Sequence, residues 1–289
     1  MFKTIKKNLL QLPGWHTKRK IICFESDDWG SLRIGSKNAL DNFKTRNLFV
    51  DDPYLKYDTI ASQKDMEMLF STLVSVRDRN GNHPVITANT NVANPDYERI
   101  SQSQFEKYYY EPFTETIKRL GDRGNPVSLW KEGIEKNIFR PQYHGREHLN
   151  VIWWLRALRK QHKETLIAFD NYSYGLITNT PFSKKPHYLN HLDFFDDDEI
   201  PHQQESLMDG VNLFKKIFNF TPESFIAPQY TWHQLHEETL KQCGVKYIQG
   251  QTKQISPVST NEKYKMTFHY SGQFNKFGQR YLTRNCYFE

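Results

Sequence analysis

The sequence predicts an α/β fold, a single domain whose parallel strands are joined by crossover helices. Three observations predict it. Short apolar runs alternate with longer stretches of helical spacing, an order that favours parallel sheets. The length of 289 residues suits one α/β barrel. The unusual polar residues sit just after apolar runs, at the carboxyl ends of strands where such folds gather their chemistry.

Taken in order, residues 20–25 (KIICFE) read as a buried strand that ends at Asp27 and Asp28. Residues 63–79 place Met66, Leu69, Leu73 and Val76 at helical spacing, with Gly81 as the stop. Residues 83–88 (HPVITA) form the next strand, with a polar exit through Asn89, Asn91 and Asn94. A helix is expected over 105–120, and an extended segment over 137–143 leads into His144. Helices follow over 149–159 and 205–218, then a strand over 224–227 ending at Pro228. A helix over 234–243 closes at Gly244, and a strand covers 245–249. Residues 1–19 are set apart as a basic extension, and 20–289 as the domain.

Composition narrows the classes. Hydrophobic residues make up 37% of the chain, enough for a core, while the mean hydropathy of −0.76 marks a water-compatible surface. Aromatic residues reach 15%, which fits either a bulky core or a ring-lined pocket. The net charge of +6 and pI near 9.0 raise a nucleic-acid reading, but Lys and Arg are scattered and residues 193–199 (DFFDDDE) are acidic. No nucleic-acid partner is therefore expected. Three distant cysteines form neither a disulfide framework nor a CxxC site. No apolar run reaches the roughly 18–20 residues needed to span a bilayer, so no stable membrane insertion is expected. The first twenty residues have no apolar run longer than two and so lack a secretory core, which predicts a cytoplasmic protein.

Two pairs carry the chemistry. Adjacent carboxylates repel unless a positive group sits nearby. Asp27-Asp28 therefore reads either as a pair of turn residues or as one metal ligand beside one base. His144-Gly145-Arg146-Glu147-His148 places two imidazoles at i and i+4, on one face if the segment is helical. These are either two solvated or capping histidines or two ligands of one ion. The same spacing recurs at His187/His191 and His233/Glu237, so spacing alone does not decide. One Asp with two His makes three protein ligands and leaves positions open, as in catalytic metal sites.

The run FESDDWG resembles the T-F-D-D-G motif of polysaccharide deacetylases, the NodB-homology group. HGREH resembles their H-S/T-x-x-H motif, and FIAPQY their R-x-P-Y segment; the three occur in the family's order. Longer runs, PQYHGREHLN and SFIAPQYTW, look like a cytoplasmic bacterial branch of polysaccharide (de)acetylases. The resemblance covers roughly residues 20–249 and implies a deformed (β/α) barrel. By the same resemblance Asp28, His144 and His148 hold a divalent metal, most simply Zn2+, and Asp27 is the catalytic base. The implied reaction removes an N-acetyl or O-acetyl group from a carbohydrate. Pro228 and Tyr230 would line the groove, a backbone N–H near Tyr230 would face the oxyanion, and Trp232 with His233 would flank the cleft. Asn91 is a further substrate-contact candidate.

The chain departs from the family pattern in three places. Ile226 stands where the family has the Arg that orients the base, and Arg146 is the candidate replacement. Trp29 displaces the glycine of D-D-G, with Gly30 after it, and reads as either a pocket wall or a core residue. No late L-x-H motif supplies a general acid; His269 is the remaining candidate. The chain stops at RNCYFE, short of the strand and helix expected to complete the barrel. Two other classes stay open: a glycan-binding protein of the same fold without turnover, and an unrelated metal-dependent hydrolase of another C–N bond.

Overall fold

In the computed structural model the described residues are 9–48, 51–259 and 261–287. Among them the strands are β1 (Phe24–Trp29), β2 (Ile86–Thr90), β3 (Ala93–Pro95), β4 (Tyr110–Pro112), β5 (Phe139–Tyr143), β6 (Ser224–Ile226), β7 (Tyr247–Gly250), β8 (Lys253–Val258), β9 (Asn261–Phe268) and β10 (Arg280–Thr283). The helices are α1 (Lys37–Thr45), α2 (Pro53–Lys56), α3 (Gln63–Val74), α4 (Tyr97–Gln102), α5 (Phe113–Leu120), α6 (Pro126–Glu135), α7 (Val151–Arg159), α8 (Lys163–Asp170), α9 (Ile200–Phe218) and α10 (Gln234–Gln242). The central sheet runs β1-β2-β5-β6-β7-β10, and every neighbouring pair is parallel.

The sheet is curled. At a strand spacing of about 4.8 Å, the edges of a flat six-stranded sheet would lie about 24 Å apart. Instead Arg284, one residue beyond β10, donates to Glu25 and Asp27 of β1 at 2.8 and 2.6 Å. Asn89 of β2 likewise reaches Gln249 of β7 at 3.2 Å across the interior. The architecture is a deformed (β/α) barrel whose edge strands are bridged by side chains instead of a backbone ladder.

The last quarter of the chain leaves the barrel open between β1 and β10, and departs from strand–helix alternation. The antiparallel hairpin β8-β9 and then β10 follow β7, and β10 pairs with it. The crossover from β7 to β10 is made by this hairpin instead of a helix.

Local chemistry explains where elements start and stop. α3 begins at a reciprocal cap, Ser62 accepting from the Asp65 amide and Asp65 accepting from the Ser62 amide. It ends at Val74, before the expected 79, and Asp78 then closes a turn by accepting from the Asn80 and Asn82 amides. The helix expected over 105–120 is split, because residues 110–112 pair with β3 and Pro112 forces an extended approach to α5. α9 starts at Ile200, with Pro201 in its first turn, ahead of the expected 205. Helices α1, α2, α4, α6 and α8 had no counterpart in the sequence reading.

Most of the aromatic surplus is core. Trp130, Trp153, Trp154 and Trp232 are almost fully buried, as are Phe43, Phe113, Phe139 and Phe214. The cluster behind β1 and β2 joins Phe113, Trp130 and Phe139, and Trp29 packs edge-on against the last two at 5.7 and 5.0 Å. No helix among the described residues is long and apolar enough to cross a membrane.

Candidate metal centre

Neighbouring strand residues normally point to opposite faces of a sheet. Asp28 breaks the alternation. It takes a left-handed φ of +66° at the end of β1, where the register with β2 slips between Ser26 and Trp29. A non-glycine residue held there costs about 1–2 kcal/mol. The kink leaves both carboxylates within the field of His144. Gly30 completes the turn with φ +78°, and a Cβ there would fall 2.4 Å from the Asn91 carbonyl oxygen. The glycine displaced from the family motif is therefore needed one position later.

His144 follows β5 directly. The segment from His144 to His148 is a loop, not the helix that the i, i+4 spacing suggested, and the next helix starts at Val151 behind its Asn150 cap. Gly145, at φ +104°, turns the loop back. The exit of β2 straps it down: the His144 amide donates to the Thr90 carbonyl at 2.9 Å, and the Ala93 amide to the Arg146 carbonyl at 2.8 Å. Asn91 Nδ2 donates to the His144 carbonyl at 2.9 Å. Asn91 is fully buried and braces the loop through this bond.

Both His144 Nε2 and His148 Nε2 lie 3.2 Å from the same Asp28 oxygen, Oδ1. One ligand atom from each of the three residues falls within 4.8 Å of the other two. His144 Nδ1 is 2.8 Å from the Ile226 carbonyl, which only accepts, so Nδ1 carries the proton. Nε2 then faces a carboxylate oxygen at 3.2 Å, a contact that either a second proton or a bound cation satisfies. The donor set thus fits a divalent ion, with the carbonyl fixing one imidazole as in known metal sites. The histidines are 3% exposed but the Asp28 side chain is 27% exposed, so the centre is open on the carboxylate side.

Without an ion, the three side chains and Arg33 balance one another's charge. Burial pushes the Asp28 carboxyl up, but His148, His144 and Arg33 outweigh it and hold it far below the usual carboxylate range. Burial pushes His144 down, and the Asp28 hydrogen bond with the two aspartate charges brings it above its ordinary value. Burial dominates at His148, which falls to about 3.

Two arginines absent from the sequence reading complete the site. Arg33 Nη1 lies 3.2 Å from Asp28 Oδ2, and its own Nε is held by Asp58 at 2.8 Å. Asp28 therefore turns one oxygen to the histidines and the other to Arg33. Arg284 grips Asp27 with two bonds of 2.6 Å, Nη1 to Oδ2 and Nη2 to Oδ1. Asn89 adds a third, Nδ2 to Oδ1 at 2.8 Å. Burial raises the Asp27 carboxyl, yet Arg284, His144 and Asn89 bring it below its ordinary value. The guanidinium missing at Ile226 comes from the far end of the chain. No strand was read before Arg284 in the sequence, so no local signal pointed to it.

The other candidates divide. Tyr230 stands beside Asp27, its hydroxyl 3.2 Å from Arg284 Nη1. Its amide donates to the Ala227 carbonyl at 2.9 Å, so that N–H is not free for an oxyanion. Pro228 is buried just before it. Arg146 does not replace the missing arginine: it pairs with Glu147 and Asp209 at 2.7 and 3.0 Å, beside the Tyr108 and Tyr110 rings. Trp29 is partly buried and packs against the core cluster behind β1. Trp232 is 1% exposed and donates to Glu237 at 2.8 Å, so it is core as well. His269 stacks on Tyr281 at 3.7 Å and lines a separate cavity of about 590 Å³ that includes none of the metal-centre residues. It is not positioned as the late general acid.

No family model matches the sequence, and no curated protein does. Solved structures similar to this chain include polysaccharide deacetylases. One from Bacillus cereus aligns at 11% identity and TM-score 0.36, covering 91% of this chain and 63% of that one. A de-N-acetylase from Aggregatibacter actinomycetemcomitans aligns at 8% identity and TM-score 0.35, covering 91% and 92%. A 4-alpha-glucanotransferase from Thermococcus litoralis aligns at 8% identity and TM-score 0.38, covering 79% of this chain and 22% of that one. The chain thus spans less than two thirds of the glucanotransferase and of the Bacillus cereus deacetylase. These are distant likenesses, and the barrel is evident from the sheet itself.

Proposed function

We propose that this protein is a metal-dependent hydrolase that removes acetyl groups from a carbohydrate, N-acetyl first and O-acetyl as its chemical neighbour. The observation that carries the reading is the convergence of Asp28, His144 and His148 with Asp27 held beside them by Arg284. Two imidazoles and one carboxylate suit Zn2+. A bound ion would polarise the acetyl carbonyl and acidify water. Asp27 would take a proton from the attacking water and return it to the departing amine or alcohol, a double role that needs no second histidine. Arg284 and Asn89 fix the base, and Tyr230 walls it. Arg33 and Asp58 orient Asp28.

The position of His269 outside the centre favours a second reading, a glycan-binding protein of the same fold without turnover. One experiment separates them. Purified protein is analysed for metal content, then assayed for acetate release from N-acetylated chitooligosaccharides and O-acetylated glycans, with and without chelator. The deacetylase reading expects about one divalent ion per chain, chelator-sensitive release, and loss of metal in Asp28→Ala and His144→Ala. Unchanged metal content in both variants overturns the metal centre. Sugar binding without acetate release, indifferent to Asp27→Asn, overturns catalysis and leaves the binding protein.

A further inference from the structure

We propose that the segment ending at β1, residues 9–24, is a peripheral docking surface for an anionic lipid bilayer. The distribution of charge is the first observation. Residues 1–24 contain six Lys or Arg and no Asp or Glu, and the remaining chain holds 33 of each sign. The net charge of +6 therefore falls within the first 24 residues, three of the six cations (Lys18, Arg19 and Lys20) in the segment itself and three just ahead of it in the chain.

The second observation is unburied apolar surface in the same stretch. Leu9, Leu12, Trp15, Ile21, Ile22 and Phe24 are between 47% and 80% exposed. Lys18, Arg19 and Lys20, between the two apolar groups, are exposed too. Concentrated bare apolar side chains on a protein surface mark an interaction site. Aliphatic and indole side chains interleaved with cations match the headgroup boundary of a bilayer, where apolar groups enter the acyl edge and cations meet anionic lipid. A nucleic-acid surface explains the cations but not the bare aliphatics. A self-association surface explains the aliphatics but not a complete absence of acidic residues.

The segment is attached to the body, not trailing from it. The Trp15 amide donates to the Ser271 carbonyl at 2.8 Å. The Gln11 side chain accepts from the Ser271 amide at 2.9 Å and from the Thr283 hydroxyl at 3.2 Å, and donates to the His269 carbonyl at 3.2 Å. Thr283 immediately precedes Arg284, the residue that holds Asp27. The docking surface and the metal centre thus share one end of β10, which would bring the centre close to material carried at a membrane surface.

The test is co-sedimentation of the full chain with vesicles of phosphatidylcholine alone or mixed with phosphatidylglycerol, at low and raised salt. Wild type is expected to bind the anionic vesicles, weakly at raised salt, and to ignore the neutral ones. Each basic side chain near the surface is worth roughly fivefold in partitioning, so Lys18→Gln, Arg19→Gln and Lys20→Gln together should cost about 100-fold. Leu12→Ser, Trp15→Ser and Ile22→Ser together should also abolish vesicle binding, with circular dichroism and melting unchanged. Absence of vesicle binding by wild type overturns the proposal. So does binding that survives both triple variants. Retention on nucleic acid or a concentration-dependent dimer, without vesicle binding, overturns it in favour of the corresponding partner.

Discussion

Replacing Arg284 with Met keeps the side-chain stem and removes the guanidinium that joins β10 to β1. The group makes two bonds of 2.6 Å to Asp27 and one of 2.8 Å to Glu25, with side-chain exposures of 14%, 23% and 21%. Removing one partner of a fully buried pair costs about 3–5 kcal/mol. Solvent reaches part of this pair and softens the loss, so about 2–3 kcal/mol is expected. Denaturant unfolding followed by circular dichroism measures it. A mispositioned base should lower acetate release by about 100-fold, the usual effect of a displacement near 1 Å. Metal content should stay at the wild-type level, because Arg284 touches Asp27 and not Asp28. Arg284→Lys restores charge without the planar fork and should fall between the two. Unfolding within about 0.5 kcal/mol of wild type, together with an unchanged release rate, would refute both the barrel-closing and the base-orienting roles.

Three further outcomes follow from the packing. Gly210→Ala should lose about 2–3 kcal/mol in denaturant unfolding, because the new Cβ would meet the Tyr143 hydroxyl and lie 2.9 Å from the Arg146 Cβ. Wild-type stability there would mean that α9 does not press on the loop that carries Arg146. Trp153→Ala removes a fully buried indole and its 2.9 Å bond to Glu199; a loss of about 3–5 kcal/mol is expected in the same assay. His236 is fully buried, and burial lowers it from 6.5 to about 3. The unfolded chain takes up its proton near pH 6.5 while the folded chain does not, so this stability is present above pH 6.5 and is lost as pH falls towards 3. At pH 5 the loss attributable to His236 is about 2 kcal/mol. His236→Asn should flatten that part of the pH dependence of unfolding, and an unchanged slope would place the imidazole in contact with solvent.

Local pattern identified the elements that rest on local chemistry. Apolar runs marked the region of each of the first five central strands, and helical spacing marked α3, α7, α9 and α10, because burial of one face writes a period into the residues. Gly244 marked the end of α10, as a glycine just past a helix does, whereas Gly81 lay seven residues beyond the end of α3. The strand ends were less legible: β1 lies several residues beyond the expected run and contains both aspartates, since Asp28 is tolerated in a left-handed kink that no propensity foresees. The split of residues 105–120 was decided by pairing with β3, a contact with no local signature.

The sequence by itself singled out the two pairs whose side chains the fold brings together: Asp27 with Asp28, and His144 with His148. Residue type and order sufficed, because ligand chemistry belongs to the side chain. Only the tertiary structure decided how they converge. The two histidines meet through a strapped loop and not along a helix face. Asp28 divides its oxygens between them and Arg33, and the guanidinium that holds Asp27 arrives from 257 positions away in the chain. Such partners are set by the curl of the sheet, which brings β10 against β1; spacing along the chain carries no record of a distance closed only by folding.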